Sequence, residues 1–318
     1  MKHRLFVITD ITSTESGVRE PDDAQSMIRL LLYANDIDIE GLAATSNMGH
    51  GHVTRPELIL QIIDAYEKDL PRLKVHDSAY PSGDTLRAVV SSGQPVAGPD
   101  VPLEKSIGDG MDTGASRAII KAVDRADDRP LWIAVWGGTA DLAQALWTVR
   151  KTRSTTETAT FVSGIRVNAI GDQDSTALWI LKEFPGLFYV RRPHGYRGMY
   201  RNGDESLVAA AWVAENVKGH GALGNLYPSY NGGDRWSGKL GKVHGIKEGD
   251  TPSYLNLISG DPMRGWGGTF IQTAPNRYTD EDAPDRKPDD LEPTMAGVYR
   301  HRPEFQADFA RRLDWCKF

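Results

Sequence analysis

The sequence has almost no cysteine, no long apolar run and no basic stretch, and each absence removes a class of answers. Cys316 is the only cysteine in 318 residues, so neither an intrachain disulfide framework nor a thiolate metal site can form within one chain. Its place two residues from the end also argues against a nucleophile. No stretch reaches the roughly eighteen consecutive apolar residues that a membrane span needs. The opening "MKHRLFVITD" is too short an apolar run, too soon ended by Asp10, to be a signal peptide. As written the chain reads as cytoplasmic, and a mature form stripped of its leader would read the same way. Thirty-seven Lys and Arg against 43 Asp and Glu give a net charge of -6 with no Lys/Arg-rich run, so neither a nucleic acid nor an anionic membrane is indicated as a partner. A small neutral or cationic molecule fits better, and a homo-oligomer stays open.

What is present is alternation. Apolar runs predict strands at 4–9, 39–45, 72–75, 131–136, 164–170 and 187–191, and helical spacing falls between them at 22–34, 55–69, 113–126, 141–152, 175–184 and 205–217. This pattern predicts an α/β fold, a doubly wound and mainly parallel sheet with helices on both faces, in a single domain over 1–318. From 219 to 293 the composition shifts to Gly, Pro, Asp and aromatics with little periodicity. That is too long for an idle loop and is expected to form the wall of a site. Its acidic, Pro-rich end at 277–293 reads as a solvated loop, and a terminal helix is expected over 302–316.

The carboxylates at the start of the chain need explaining. In an open parallel sheet ligands bind outside the carboxyl ends of the strands, which is where Asp10 falls if strand 4–9 is central. Asp22 and Asp23 open the next helix, so the intervening loop returns them to the same edge. The helix dipole favours acidic residues in a first turn by roughly 0.3 to 1 kcal/mol each, which accounts for Asp22 and Asp23 without any ligand. An Asp ending an apolar strand has no such reason. Three carboxylates brought together repel unless a cation or shared protons compensate, and calcium, which accepts six to eight oxygen ligands, is the simplest compensation.

The stretch "VITDI…PDDAQS" resembles the signature of the inosine/uridine-preferring nucleoside hydrolase superfamily. It is closer still to the nucleoside-hydrolase-like domain of proteins described as cellulose-binding. The similarity continues in "RLLLYANDIDIEGLAATS", "WGGTADLAQALW", "IRVNAIGDQDSTALWI", "EFPGLFYV", "EGDTPSYLNLI" and "GWGG". The resemblance implies a Rossmann-like nucleoside-hydrolase fold and a calcium ion held by Asp10, Asp23, the main-chain carbonyl of Ala140 and Asp250. It further implies that Asp10 acts as general base on water attacking the anomeric carbon of a nucleoside or furanoside. Asp22 and Asn168, with Asn47 as a further candidate, correspond to residues that grip sugar hydroxyls. This sequence departs from the pattern at Ile8, which replaces the first acidic residue, and in the longer loop "ITSTESGVREP". It departs again at Arg166, where a Glu is usual and where a cation suggests a ligand carboxylate or phosphate, or a salt bridge. Gly249 stands where several purine-type enzymes carry a protonating His, and His244, Asp261 and Asp234 are nearby in sequence as substitutes.

Other features admit two readings each. Trp236, Trp266 and Tyr254 are candidates for a stacking platform or for burial against the sheet edge. Trp132, Trp136, Trp147 and Trp179 sit in periodic segments and read as core. "GHGH" (49–52) lacks a third zinc ligand and reads as a loop. "GDGMDTGASRAII" needs only Asp112 or Ser116 as a helix cap. "TDITST" with "GDQDS" imitates a haloacid-dehalogenase-type phosphohydrolase but leaves Asp22 and Asp23 unexplained. A catalytically silent carbohydrate-binding protein, with metal and sugar grip but no acid to release a leaving group, is the principal alternative to a glycosyl hydrolase.

Overall fold

Apolar runs without helical period become central strands here because both faces of each strand are covered. The computed structural model describes residues 2–16, 21–46, 53–96, 98–233, 242–281 and 292–317. Its strands are β1 (His3–Thr9), β2 (Ile37–Ala44), β3 (Val90–Ser92), β4 (Leu131–Val135), β5 (Ile165–Ile170), β6 (Phe188–Arg192), β7 (Tyr230–Gly233), β8 (Lys242–Gly245), β9 (Arg264–Gly265), β10 (Gly268–Ala274) and β11 (Arg277–Asp280). The first six helices are α1 (Asp22–Leu32), α2 (Pro56–His76), α3 (Gly83–Arg87), α4 (Gly114–Val123), α5 (Ala140–Thr152) and α6 (Thr155–Ser163). The remaining six are α7 (Thr176–Glu183), α8 (Ala210–Asn216), α9 (Gly221–Leu226), α10 (Pro252–Ser259), α11 (Glu292–Tyr299) and α12 (Arg302–Asp314).

Nine strands form one sheet in the order β3-β2-β1-β4-β5-β6-β11-β10-β9, while β7 and β8 pair separately. From β3 to β11 all neighbours are parallel. Side chains alternate across the sheet, so Leu5 and Val7 enter one core with Met27, Leu31, Ile59 and Ile63, while Phe6 and Ile8 enter the other with Ile119, Leu142 and Leu146. The expected doubly wound, mainly parallel α/β architecture is therefore present. Strand order reverses between β1 and β4, which pair directly, and the crevice at the carboxyl ends of such a pair is where ligands bind in this architecture.

Three expectations need correction. Residues 72–75 are not a strand but the last turns of α2, because Tyr66, Leu70 and Leu73 continue the buried stripe of Ile59, Ile62 and Ile63 at helical spacing through Pro71. Residues 277–280 are not a loop but β11, which adds to β6 in parallel and receives β10 antiparallel. The 205–217 segment is a 3-10 turn at Glu205–Val208 followed by the shorter α8. Helix α6 was missing from the periodicity altogether, yet "STTE" is its capping box, with Ser154 and Glu157 exchanging backbone bonds.

Candidate metal centre and its cleft

Strand β1 delivers Asp10 to the switch point, and α1 begins with Asp22 and Asp23 beside it. The Thr9 hydroxyl donates to Asp23 Oδ1 and accepts the Ile11 N–H at 3.2 Å, which fixes strand tip and helix start to one another. Gly137, just past β4, has to be bare, since a Cβ there would stand 2.8 Å from that of Asp10. These elements open a cleft of about 250 Å3 lined by Asp10, Asp22, Asp23 and Asp250 together with Trp136, Tyr196 and Lys247.

Asp250 reaches the cleft on a segment fastened to α1 at several points. Gln25 donates to the carbonyls of Pro228 and Gly245 at 2.7 and 2.9 Å and accepts from the N–H groups of Lys247 and Glu248 at 2.8 and 3.1 Å. Glu248 is fully buried in a left-handed conformation, φ 33°, which an L residue adopts only when its surroundings insist. They do: Arg29 Nε donates to its carboxylate at 2.5 Å, Tyr227 OH at 2.5 Å and Thr251 Oγ1 at 3.0 Å. Tyr254 OH closes the arrangement on the Ser26 carbonyl at 3.0 Å.

One carboxylate oxygen each from Asp22, Asp23 and Asp250 lies within 4.8 Å of the other two. Asp250 holds its proton far more tightly than an ordinary aspartate, first because it is buried and then because Asp23, Asp22 and Asp10 repel its charge. Its Oδ2 is buried with no hydrogen-bond partner among the described residues. An unsatisfied buried oxygen inside a cluster of like charges fits a hard cation, which would meet both deficits at once. Lys247 supplies part of the compensation, its Nζ 3.5 Å from Asp22 Oδ2.

The residues named from the sequence divide by location. Asp10, Asp22, Asp23 and Asp250 share the cleft. Asn168, in β5, is buried and is not among the residues that line the cleft; it donates to the Ser253 carbonyl at 3.0 Å, and its Oδ1 has no partner among the described residues. Ala140 does not line the cleft: it starts α5, and its N–H donates to Asp174 at 3.1 Å. The residue that follows β4 at the cleft is Trp136, whose carbonyl accepts from the Gln173 amide. Arg166 is displaced too, because it lies near the amino end of β5, bonds the carbonyls of Ser163 and Ile165 at 2.8 Å and lines a separate cavity with Arg4 and Arg153. Trp266 donates to Glu304 at 3.0 Å beside α12, and Tyr254 is core rather than platform.

His244 is exposed on β8 and Asp261 is exposed in a turn, so neither lines the cleft. Asn47, Trp236, Asp234 and 49–52 lie outside the described residues. Trp132 and Trp136 are buried, whereas Trp147 and Trp179 are half-buried on outer helices. Thr113, rather than Asp112, caps α4 in a box with Ser116. In "GDQDS", Asp174 spends both oxygens on Thr139, Ala140 and Thr176, which leaves it no role as the metal ligand of a phosphohydrolase.

Sequence reasoning missed Gln25, Arg29 and Glu248, which build the wall, and Tyr196, Tyr200, Asp172 and Lys247, which line the cleft. Asp172 accepts from Tyr189 OH at 2.9 Å and Arg191 Nε at 2.6 Å. Only "KEGD" carried a local signal, a charged run inside a Gly-rich stretch.

Comparison with known proteins places this geometry. The family model described as "Cellulose-binding Sde182, nucleoside hydrolase-like domain" matches residues 4–270. Among solved structures, a nucleoside hydrolase-related hypothetical protein from Saccharophagus degradans, associated with carbohydrate metabolism, is 28% identical with a TM-score of 0.79, covering 100% of this chain and 72% of that one. The type III effector protein XopQ complexed with adenosine diphosphate ribose is 10% identical with a TM-score of 0.55, covering 100% and 95%. The effector protein XOO4466 is 11% identical with a TM-score of 0.53 and the same coverage. These last two likenesses concern the fold alone. No curated protein matches.

Proposed function

The chain belongs to the family of the cellulose-binding Sde182 nucleoside hydrolase-like domain, and from that premise we propose that it is a calcium-dependent hydrolase of an N- or O-glycosidic bond in a nucleoside or furanoside-like substrate. The observation that carries this reading is the meeting of Asp22, Asp23 and Asp250, the last with an Oδ2 that has no partner among the described residues, in a cleft that Asp10 also lines. Carboxylates from these residues make an all-oxygen donor set of the kind that suits calcium. A bound divalent cation supplies Lewis acidity, which brings the pKa of water towards neutrality.

The protein's own groups do the rest. Asp10 takes the proton of the attacking water as general base. The summed negative potential of the four aspartates favours the positive charge that develops on the sugar ring as the glycosidic bond breaks. Asn168 Oδ1, buried and without a partner among the described residues, is the acceptor this reading assigns to a sugar hydroxyl. A second reading, sugar binding without turnover, draws support from the groups that would have to protonate a leaving group. Gly249 offers none, and the Asp172 carboxylate already accepts from Arg191 and Tyr189.

A panel of nucleosides and nitrophenyl furanosides, incubated with EDTA-stripped protein with and without calcium, separates the two. Calcium-dependent release of base or phenol, reduced roughly a hundred-fold or more in Asp10→Asn, supports the hydrolase. Sugar binding without release from any member of the panel supports the silent binder.

A further inference from the structure

We propose that Gln173 is a specificity-determining residue of the cleft, its Oε1 accepting a hydrogen bond from an N–H of the base that the sugar carries; this rests on the glycoside reading above. Gln173 lines the cleft with Gly171 and Asp172, in the loop between β5 and α7. Its Nε2 donates to the carbonyl of Trp136, just past β4, and to that of Ile170, the last residue of β5, the latter at 3.2 Å. Both amide hydrogens are therefore spent on the edge of the sheet, and a flipped amide would set oxygen against oxygen. What Gln173 still offers is an acceptor, for no residue among the described ones donates to its Oε1.

The loop that presents this oxygen is fixed on both sides. Gly171 turns the chain out of β5 at φ 68°, and its N–H donates to the Arg192 carbonyl at 3.0 Å. Asp172 is held by Tyr189 and Arg191, and Asp174 by Thr139, Ala140 and Thr176. An acceptor placed this firmly loses little freedom when a ligand binds, which lets a single hydrogen bond yield selectivity. A ligand without the matching donor would strip Oε1 of water and return nothing. The Gln173 amide bridges β4 and β5, and β4 is the neighbour of β1. At roughly 4.8 Å between strands, that puts it roughly 7 Å along the sheet edge from the β1 tip that delivers Asp10. A sugar gripped at the aspartates would thus turn its substituent, rather than its hydroxyls, towards Gln173. The preferred ligand is an N-glycoside whose base keeps an N–H, over one whose nitrogens are fully substituted.

The test is calorimetric titration of the full chain with calcium present, using carbocyclic adenosine and carbocyclic uridine, which have no glycosidic bond to break, each beside a counterpart with its base N–H groups methylated. In the wild type at least one parent compound is expected to bind roughly ten-fold more tightly than its methylated counterpart. That preference should vanish in Gln173→Met, and equally in Gln173→Lys, whose ammonium still donates to the Trp136 and Ile170 carbonyls while offering no acceptor. A preference that survives in either variant comes from the bulk of the methyl groups and overturns this inference, as does a wild type that binds parents and counterparts alike; both results leave the sugar site standing. A wild type that binds none of the four overturns the glycoside reading and this inference with it.

Discussion

Asp250 and Asp174 are both aspartates near the carboxyl edge of the sheet, 4% and 5% exposed, and burial raises the proton affinity of each. Their neighbours differ. Asp174 receives bonds from the Thr139 and Thr176 hydroxyls and from the N–H groups of Ala140 and Thr176, so its oxygens are satisfied and its work is to fasten the starts of α5 and α7. Asp250 faces three other aspartates and keeps an oxygen without a partner among the described residues. Burial alone therefore does not mark a functional carboxylate; unmet bonding capacity among like charges does.

Glu248 extends the satisfied class, and breaking it should have the largest effect. Glu248→Ala strands the buried Arg29 and is expected to cost about 4 kcal/mol in urea unfolding, with the Asp250 segment loosened as a consequence. Asp174→Ala leaves several buried donors unpaired and should cost about 3 kcal/mol, while the folded protein still binds calcium. Asp250→Asn should behave in the opposite way: calcium binding is lost, yet the metal-free protein gains about 1 kcal/mol and melts higher at neutral pH, because a charge its neighbours repel is gone. A destabilised Asp250→Asn protein would place Asp250 with Asp174 and break the comparison.

Acidity sharpens the same contrast. Asp250 binds its proton more tightly folded than unfolded, so the folded state holds the extra proton once pH exceeds the ordinary aspartate value of about 3.9. Its stabilising contribution is complete below that value and is lost as pH rises through the elevated folded pKa. Thermal melts of metal-free protein should therefore show a wild-type minus Asp250→Asn difference that turns steadily against the wild type as pH increases. The smallest effect belongs to Arg166→Ala, expected to cost about 1 kcal/mol or less from its two carbonyl bonds and its contact with Phe188, with calcium and sugar binding intact.

What could be read from the sequence was what local pattern decides. A buried strand ended by Asp10, and a helix opened by Asp22 and Asp23, reveal themselves within thirty residues. Alternation then sets the sheet, and its switch point gathers these residues at one edge. The partners that complete the site come from far along the chain. Gln25 meets Lys247 and Arg29 meets Glu248 across more than two hundred residues, and neither end shows a periodicity that announces the other. Arg166 shows the converse failure. It shares a strand with Asn168, but two residues along a strand is roughly 6.6 Å, enough to carry its guanidinium to the carbonyls at the amino end of β5. Ala140 likewise sits past the cleft lining, since the chain has already turned into α5 by that point and the lining is met four residues earlier, at Trp136.

The most direct test of a cation centre at Asp22, Asp23 and Asp250 is calorimetric titration of calcium into EDTA-stripped protein at pH 7, wild type beside Asp250→Asn. One saturable site in the wild type that disappears in Asp250→Asn is the predicted result. Equal binding by both proteins, or none by the wild type, contradicts it.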